Sequence, residues 1–80
     1  MVTSESIQQN IAQGIATEHL LVEGDDGTHF NAVIVSEAFE GKSRVQRHQM
    51  VYQTLGDRMR EEIHALSMKT LTPKEWQAQK

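Results

Sequence analysis

The chain has 80 residues, 38% of them hydrophobic and 24% charged, with a net charge of −3 and no cysteine. That length supports one small core of modest stability, and the chain is expected to form a single domain over 1–80. The lack of Cys excludes disulfides, thiolate catalysis and an all-cysteine zinc or iron-sulfur site within the chain.

Charge is distributed unevenly. Residues 1–40 contain seven acids and no Lys or Arg, whereas residues 41–80 contain eight basic residues and four acids, so the halves carry −7 and +4. A basic face that docks an acidic partner or nucleic acid would give this pattern, and so would two halves that neutralise each other on folding. No basic leader precedes an apolar run, and no run approaches the ~18 apolar residues of a bilayer span. A cytoplasmic location without membrane contact is the expectation.

The first helix is expected to begin near Ser4 or Ser6, where Ser6-Ile7-Gln8-Gln9 has the form of a capping box and Ile7, Ile11 and Ile15 recur every four residues. Leu20-Leu21-Val22 and Phe30 to Val35 read as two strands joined through Gly24-Asp25-Asp26-Gly27, a hairpin signal. In the second strand Phe30, Ala32 and Ile34 share one face, and Asn31, Val33 and Val35 the other.

Ser43-Arg44-Val45-Gln46 is a second capping box, opening a helix whose Val45, His48, Tyr52 and Leu55 form the expected inward face. Gly56 is its natural terminator. The same spacing continues through Met59, Ile63 and Leu66, so periodicity alone leaves a longer helix open. The break at Gly56 favours a short helical turn over Asp57 to Glu62, then a third strand from His64 to Thr72. Thr72 as N-cap, Pro73 at the first helical position and Glu75 completing a capping box then start a short last helix, with Leu71 placed to staple onto Trp76. This order describes an α+β fold in which a mixed three-stranded sheet is covered by helices.

Catalytic signals are weak, and the chain is expected not to be an enzyme. Gly41-Lys42-Ser43 at a helix start resembles the end of a phosphate-binding loop, but the required earlier glycine is Ser36. No nucleophile elbow is present, and Glu61-x-x-His64 lacks the partner carboxylates of a di-iron bundle. His19 reads as a strand-start residue and His48 as part of a helix face. His29 and His64 would more often be surface or structural residues than ligands. As neutral imidazoles they are still the best iron or zinc donors in a chain without thiols.

Lys42, Arg44, Arg47 and His48 stand in an acid-free stretch from Gly41 to Gly56, a candidate surface for a partner or for nucleic-acid phosphates. Few aromatic residues, the negative net charge and the missing Gly-x-x-Gly clamp weigh against RNA recognition.

The run from Phe39 to Tyr52, followed by Ile63-His64-Ala65-Leu66-Ser67 and Thr72-Pro73-Lys74-Glu75-Trp76, closely resembles the BolA-like family, and within it the short bacterial IbaG/YrbA branch. The resemblance covers nearly the whole chain. It implies a KH-like fold of type II topology with element order α-β-β-α-α-β-α. It also implies a partner, a monothiol glutaredoxin, with which a [2Fe-2S] cluster is shared, and for some members a role in transcriptional regulation. By the same resemblance His64 stands at the family's C-terminal cluster ligand and His29 at the loop histidine. The glutaredoxin's cysteine and its glutathione would supply the other ligands, so the isolated chain should hold no cluster and be a monomer.

Overall fold

A computed structural model of the protein describes residues 3–24, 29–56 and 65–79. Helix α1 spans Ser4–Gly14. Its cap is Thr3, not Ser6: the Thr3 hydroxyl accepts from the Ser6 amide at 3.1 Å, and the Ser6 hydroxyl accepts in return from the Thr3 amide. Starting three residues earlier gains a first turn and keeps Ile7 and Ile11 on the buried face.

Strands β1 (His19–Glu23) and β2 (His29–Val35) pair antiparallel, and β3 (Ala65–Leu71) lies parallel to β2, giving the order β1-β2-β3. Parallel neighbours need a crossover, and helix α2 (Arg44–Leu55) lies within that connection. Helix α3 (Pro73–Ala78) follows β3 directly, with the Thr72–Glu75 capping box and Pro73 at its start. The α+β class and the mixed three-stranded sheet are as expected. The helical turn expected over Asp57 to Glu62, and His64, lie outside the described residues.

Register explains which side chains enter the core. Leu20 and Val22 stand opposite Ile34 and Ala32, while Leu66, Met68 and Thr70 stand opposite Phe30, Ala32 and Ile34. With a period of two, these side chains share one face. That face meets Ile7, Ile11 and Ile15 together with Val51 and Leu55 of α2. Leu21, Val33 and Lys69 form one row across the other face.

Two features of the α2 region differ from the expectation. The inward face carries Val51 and Leu55, whereas Val45 is 66% and Tyr52 39% exposed. Leu55 faces inward as expected, whereas Val51, one position before Tyr52, takes the buried place expected for Tyr52. Beside it Thr54 meets Gly14 of α1 so closely that a Cβ there would lie 2.5 Å from Thr54 Cγ2. Ahead of α2, a 3-10 turn over Glu37–Phe39 buries Phe39 completely. Ser36 holds that turn: its hydroxyl donates to the Ala16 carbonyl at 2.6 Å and accepts from the Ala38 amide at 3.0 Å.

At its other end α2 stops as anticipated. Gly56 has φ +56°, a backbone region that favours glycine, and its N–H reaches the Tyr52 carbonyl.

Candidate functional site

Two surfaces lie at opposite ends of β3. At its start, exposed His29 is the first residue of β2 and the register partner of Ala65. His64 is outside the described residues. Among the described residues no cluster of three or more His, Asp or Glu could hold a metal.

At the other end a groove of about 560 Å³ opens between the beginning of α2, residues Met68 to Leu71 of β3, and Glu75 of α3. Ser43 starts α2 here, its hydroxyl accepting from the Gln46 amide while the Gln46 side chain accepts from the Ser43 amide. That cap directs Arg44, Arg47 and His48 along the groove, and Lys42 stands just before it. Lys69 adds a cation from β3, so among the described residues four cationic side chains line the groove against the single carboxylate of Glu75. Five residues of strand, about 17 Å at roughly 3.3 Å each, separate Thr70 in this groove from Ala65.

The four basic-stretch residues differ in their freedom. Arg47 serves the fold: its side chain is only 13% exposed and its Nη1 donates to Glu75 Oε1 at 2.8 Å and to the Thr70 carbonyl at 3.0 Å. Its Nε donates to the Lys42 carbonyl at 3.0 Å, and the guanidinium lies 5.9 Å from the centre of the Phe39 ring. One side chain thereby joins α2, β3 and α3. Lys42 and Arg44 are exposed.

His48 is half-buried, and its Nε2 is shielded from solvent with no hydrogen-bond partner among the described residues. Burial, and secondarily the charge of Arg44, holds its pKa below the usual 6.5, so the imidazole is neutral at pH 7. Glu75 is held below the usual carboxylate value, first by the Arg47 hydrogen bond and then by the Thr72 amide. Sequence reading missed Lys69 and the Arg47–Glu75 tie. Strand alternation could have placed Lys69 opposite the core face, but nothing local signals an ion pair across 28 positions. It also missed the stack of His19 on Trp76, with ring centroids 4.7 Å apart.

A family model described as BolA-like protein matches residues 1–75. The chain belongs to the BolA-like family. It is 40% identical to the DNA-binding transcriptional regulator BolA of Haemophilus influenzae, over 92% of this chain and 84% of that protein. It is 38% identical to the acid stress protein IbaG of Escherichia coli, over 91% of this chain and 87% of that one. The structure of a BolA homologue from Coxiella burnetii superposes with a TM-score of 0.83 at 45% identity, covering 96% of this chain and 99% of the other.

The chain also matches the SufE-like protein 1 of Arabidopsis thaliana, 55% identical over 53 residues, but spans only 14% of its length. Of the relatives with matching length, the Haemophilus influenzae protein is named as a regulator and the Escherichia coli protein as a stress protein. No helix among the described residues is long and apolar enough to cross a membrane.

Proposed function

We propose that this BolA-like protein is a non-enzymatic adaptor that binds a monothiol glutaredoxin and shares a bridging [2Fe-2S] cluster with it. His64 and His29 are the ligands from this chain. The observation that supports the reading is the pairing of exposed His29 with Ala65, the residue that follows His64 in the chain. The donor chemistry fits: imidazole ligates iron, and a chain without Cys must take its thiolate ligands from elsewhere. The glutaredoxin cysteine and glutathione would provide them.

Titrating cluster-loaded glutaredoxin with the protein, followed by visible absorption and circular dichroism, tests the proposal. Wild type should change the spectrum, and His64→Ala and His29→Ala should reduce the change. No change with wild type would sink the idea. Because protonated imidazole cannot ligate, the shared cluster should also lose its absorption between about pH 8 and 5.5.

A second reading, nucleic-acid binding through the basic groove, is favoured by the name of the Haemophilus relative and by Lys42, Arg44 and Lys69. Its signature is affinity that falls with salt, with a log–log slope of about −0.9 for each phosphate neutralised. Binding that is absent, or indifferent to salt, would remove it.

A further inference from the structure

We propose that the groove between α2 and β3 takes an acidic, extended peptide segment of a partner protein, which adds to the free edge of β3 while its carboxylates meet Lys69 on one side and Lys42 and Arg44 on the other. This surface lies at the opposite end of β3 from His29, and the inference does not rest on the cluster reading.

Three observations converge on that occupant. First, among the described residues β3 is an edge strand, paired only with β2. The Leu71 carbonyl accepts from the Ser36 amide, on the side of β2, whereas the Thr70 carbonyl is bonded by Arg47 of α2. Strand alternation therefore turns the N–H and C=O of Met68, like those of Thr70, toward the open edge. An incoming strand could bond at Met68, next to the position Arg47 already caps.

Second, the charge is predominantly positive, because the one lining carboxylate among the described residues, Glu75, is bonded to Arg47. Lys42, Arg44 and Lys69 are exposed, and Arg47, the fourth cation, is the one bonded to Glu75. An anionic occupant would meet those three cations, and α2 adds no carboxylate of its own.

Third, the cations straddle the strand. Lys69 stands in the row with Leu21 and Val33 on the face away from the core, while Lys42 and Arg44 line the opposite wall. An extended peptide points alternate side chains to opposite sides, so a short run of Asp and Glu reaches both groups. Mainchain pairing would supply affinity and the flanking charges would select sequence. A nucleic-acid strand would use the same cations but not the strand edge, and among the described residues no Phe, Tyr or Trp lines the groove for base stacking.

The competing function for these residues is defence. Edge strands are often guarded by Lys and by capped carbonyls against unwanted pairing, and a guarded edge would bind nothing.

The test titrates the ¹⁵N-labelled full chain with a blocked seven-residue Asp/Glu-Val peptide, with the same peptide N-methylated at alternate residues, with a peptide of equal length bearing Gln and Asn, and with a single-stranded oligonucleotide. The expected result is saturable shifts centred on the Met68 and Thr70 amides, at least tenfold weaker binding of the methylated and neutral peptides, and at least tenfold loss with Arg44→Glu plus Lys69→Glu. Both substituted positions are exposed, and a preserved unfolding midpoint shows that the variant folds. Three results would overturn the proposal: no binding of the acidic peptide, equal binding of the N-methylated peptide, or tighter binding of the oligonucleotide at the same amides.

Discussion

Replacing Arg47 by Ala should destabilise the protein by about 3 kcal/mol. The figure comes mainly from the bond to the Thr70 carbonyl, since Thr70 is buried and a hydrogen bond from a charged donor contributes about 1.5–3 kcal/mol. The bond to the Lys42 carbonyl is exposed and adds about 1 kcal/mol or less. Glu75 is in solvent, so its ion pair is assigned nothing.

Arg47→Met keeps the apolar stem near Phe39 and leaves the same carbonyl without its donor, so it should recover only the packing part of the loss. Urea unfolding at pH 7, followed by circular dichroism, measures both variants. Exposed Arg44→Ala serves as the reference and should stay within about 0.5 kcal/mol of wild type. At about 4–8 °C per kcal/mol for a domain of this size, the thermal midpoint of Arg47→Ala should fall by more than 10 °C. If Arg47→Ala costs less than about 1 kcal/mol, the guanidinium does not tie the three elements together and the reasoning fails.

Other substitutions probe the packing and the titrating groups. Gly14→Ala should destabilise by about 1–3 kcal/mol despite the better helix propensity of Ala, because its Cβ meets Thr54 Cγ2 at 2.5 Å. Adding Thr54→Ser, which removes that methyl and keeps the hydroxyl bonded to the Val51 carbonyl, should restore most of the loss in the same unfolding assay. Ile11→Ala should cost about 2–5 kcal/mol by opening a cavity in the sealed core.

His48 sets a pH dependence of defined sign. Its folded pKa lies below 6.5, so the unfolded chain binds the proton first; stability should begin to fall as pH drops through about 6.5 and stop falling once the folded value is passed. His48→Gln should flatten that window, measured as urea midpoint against pH, and an unchanged profile would refute the assignment. Glu75 acts lower: its contribution is present above pH 4.5 and is lost as pH falls through its depressed folded value, so Glu75→Gln should lower the urea midpoint above pH 4.5 and flatten the acid limb.

Local signals carried much of the architecture. The boxes Ser43–Gln46 and Thr72–Glu75, Pro73 at a helix start and Gly56 at a helix end act within a turn, and the structure uses each as its side-chain chemistry requires. The alternation of Phe30, Ala32 and Ile34 placed the core face of β2 for the same reason. At the N-terminus the Ser6-Ile7-Gln8-Gln9 pattern was overridden by the reciprocal Thr3–Ser6 box, which starts the helix at Ser4.

The sequence by itself determined the types of the described α-helices and strands, the absence of internal thiolate ligands and the acid-free character of the stretch from Gly41 to Gly56, because these depend on residue identity and spacing along a few turns. Tertiary structure alone decided the roll of α2 that buries Val51 and leaves Val45 and Tyr52 outside. It also set Arg47 apart from Lys42 and Arg44, and it brought Lys69 across from the helix. Those outcomes depend on which elements lie beside one another. A guanidinium becomes a structural tie only when a strand carbonyl and a carboxylate 23 and 28 residues away are brought to it.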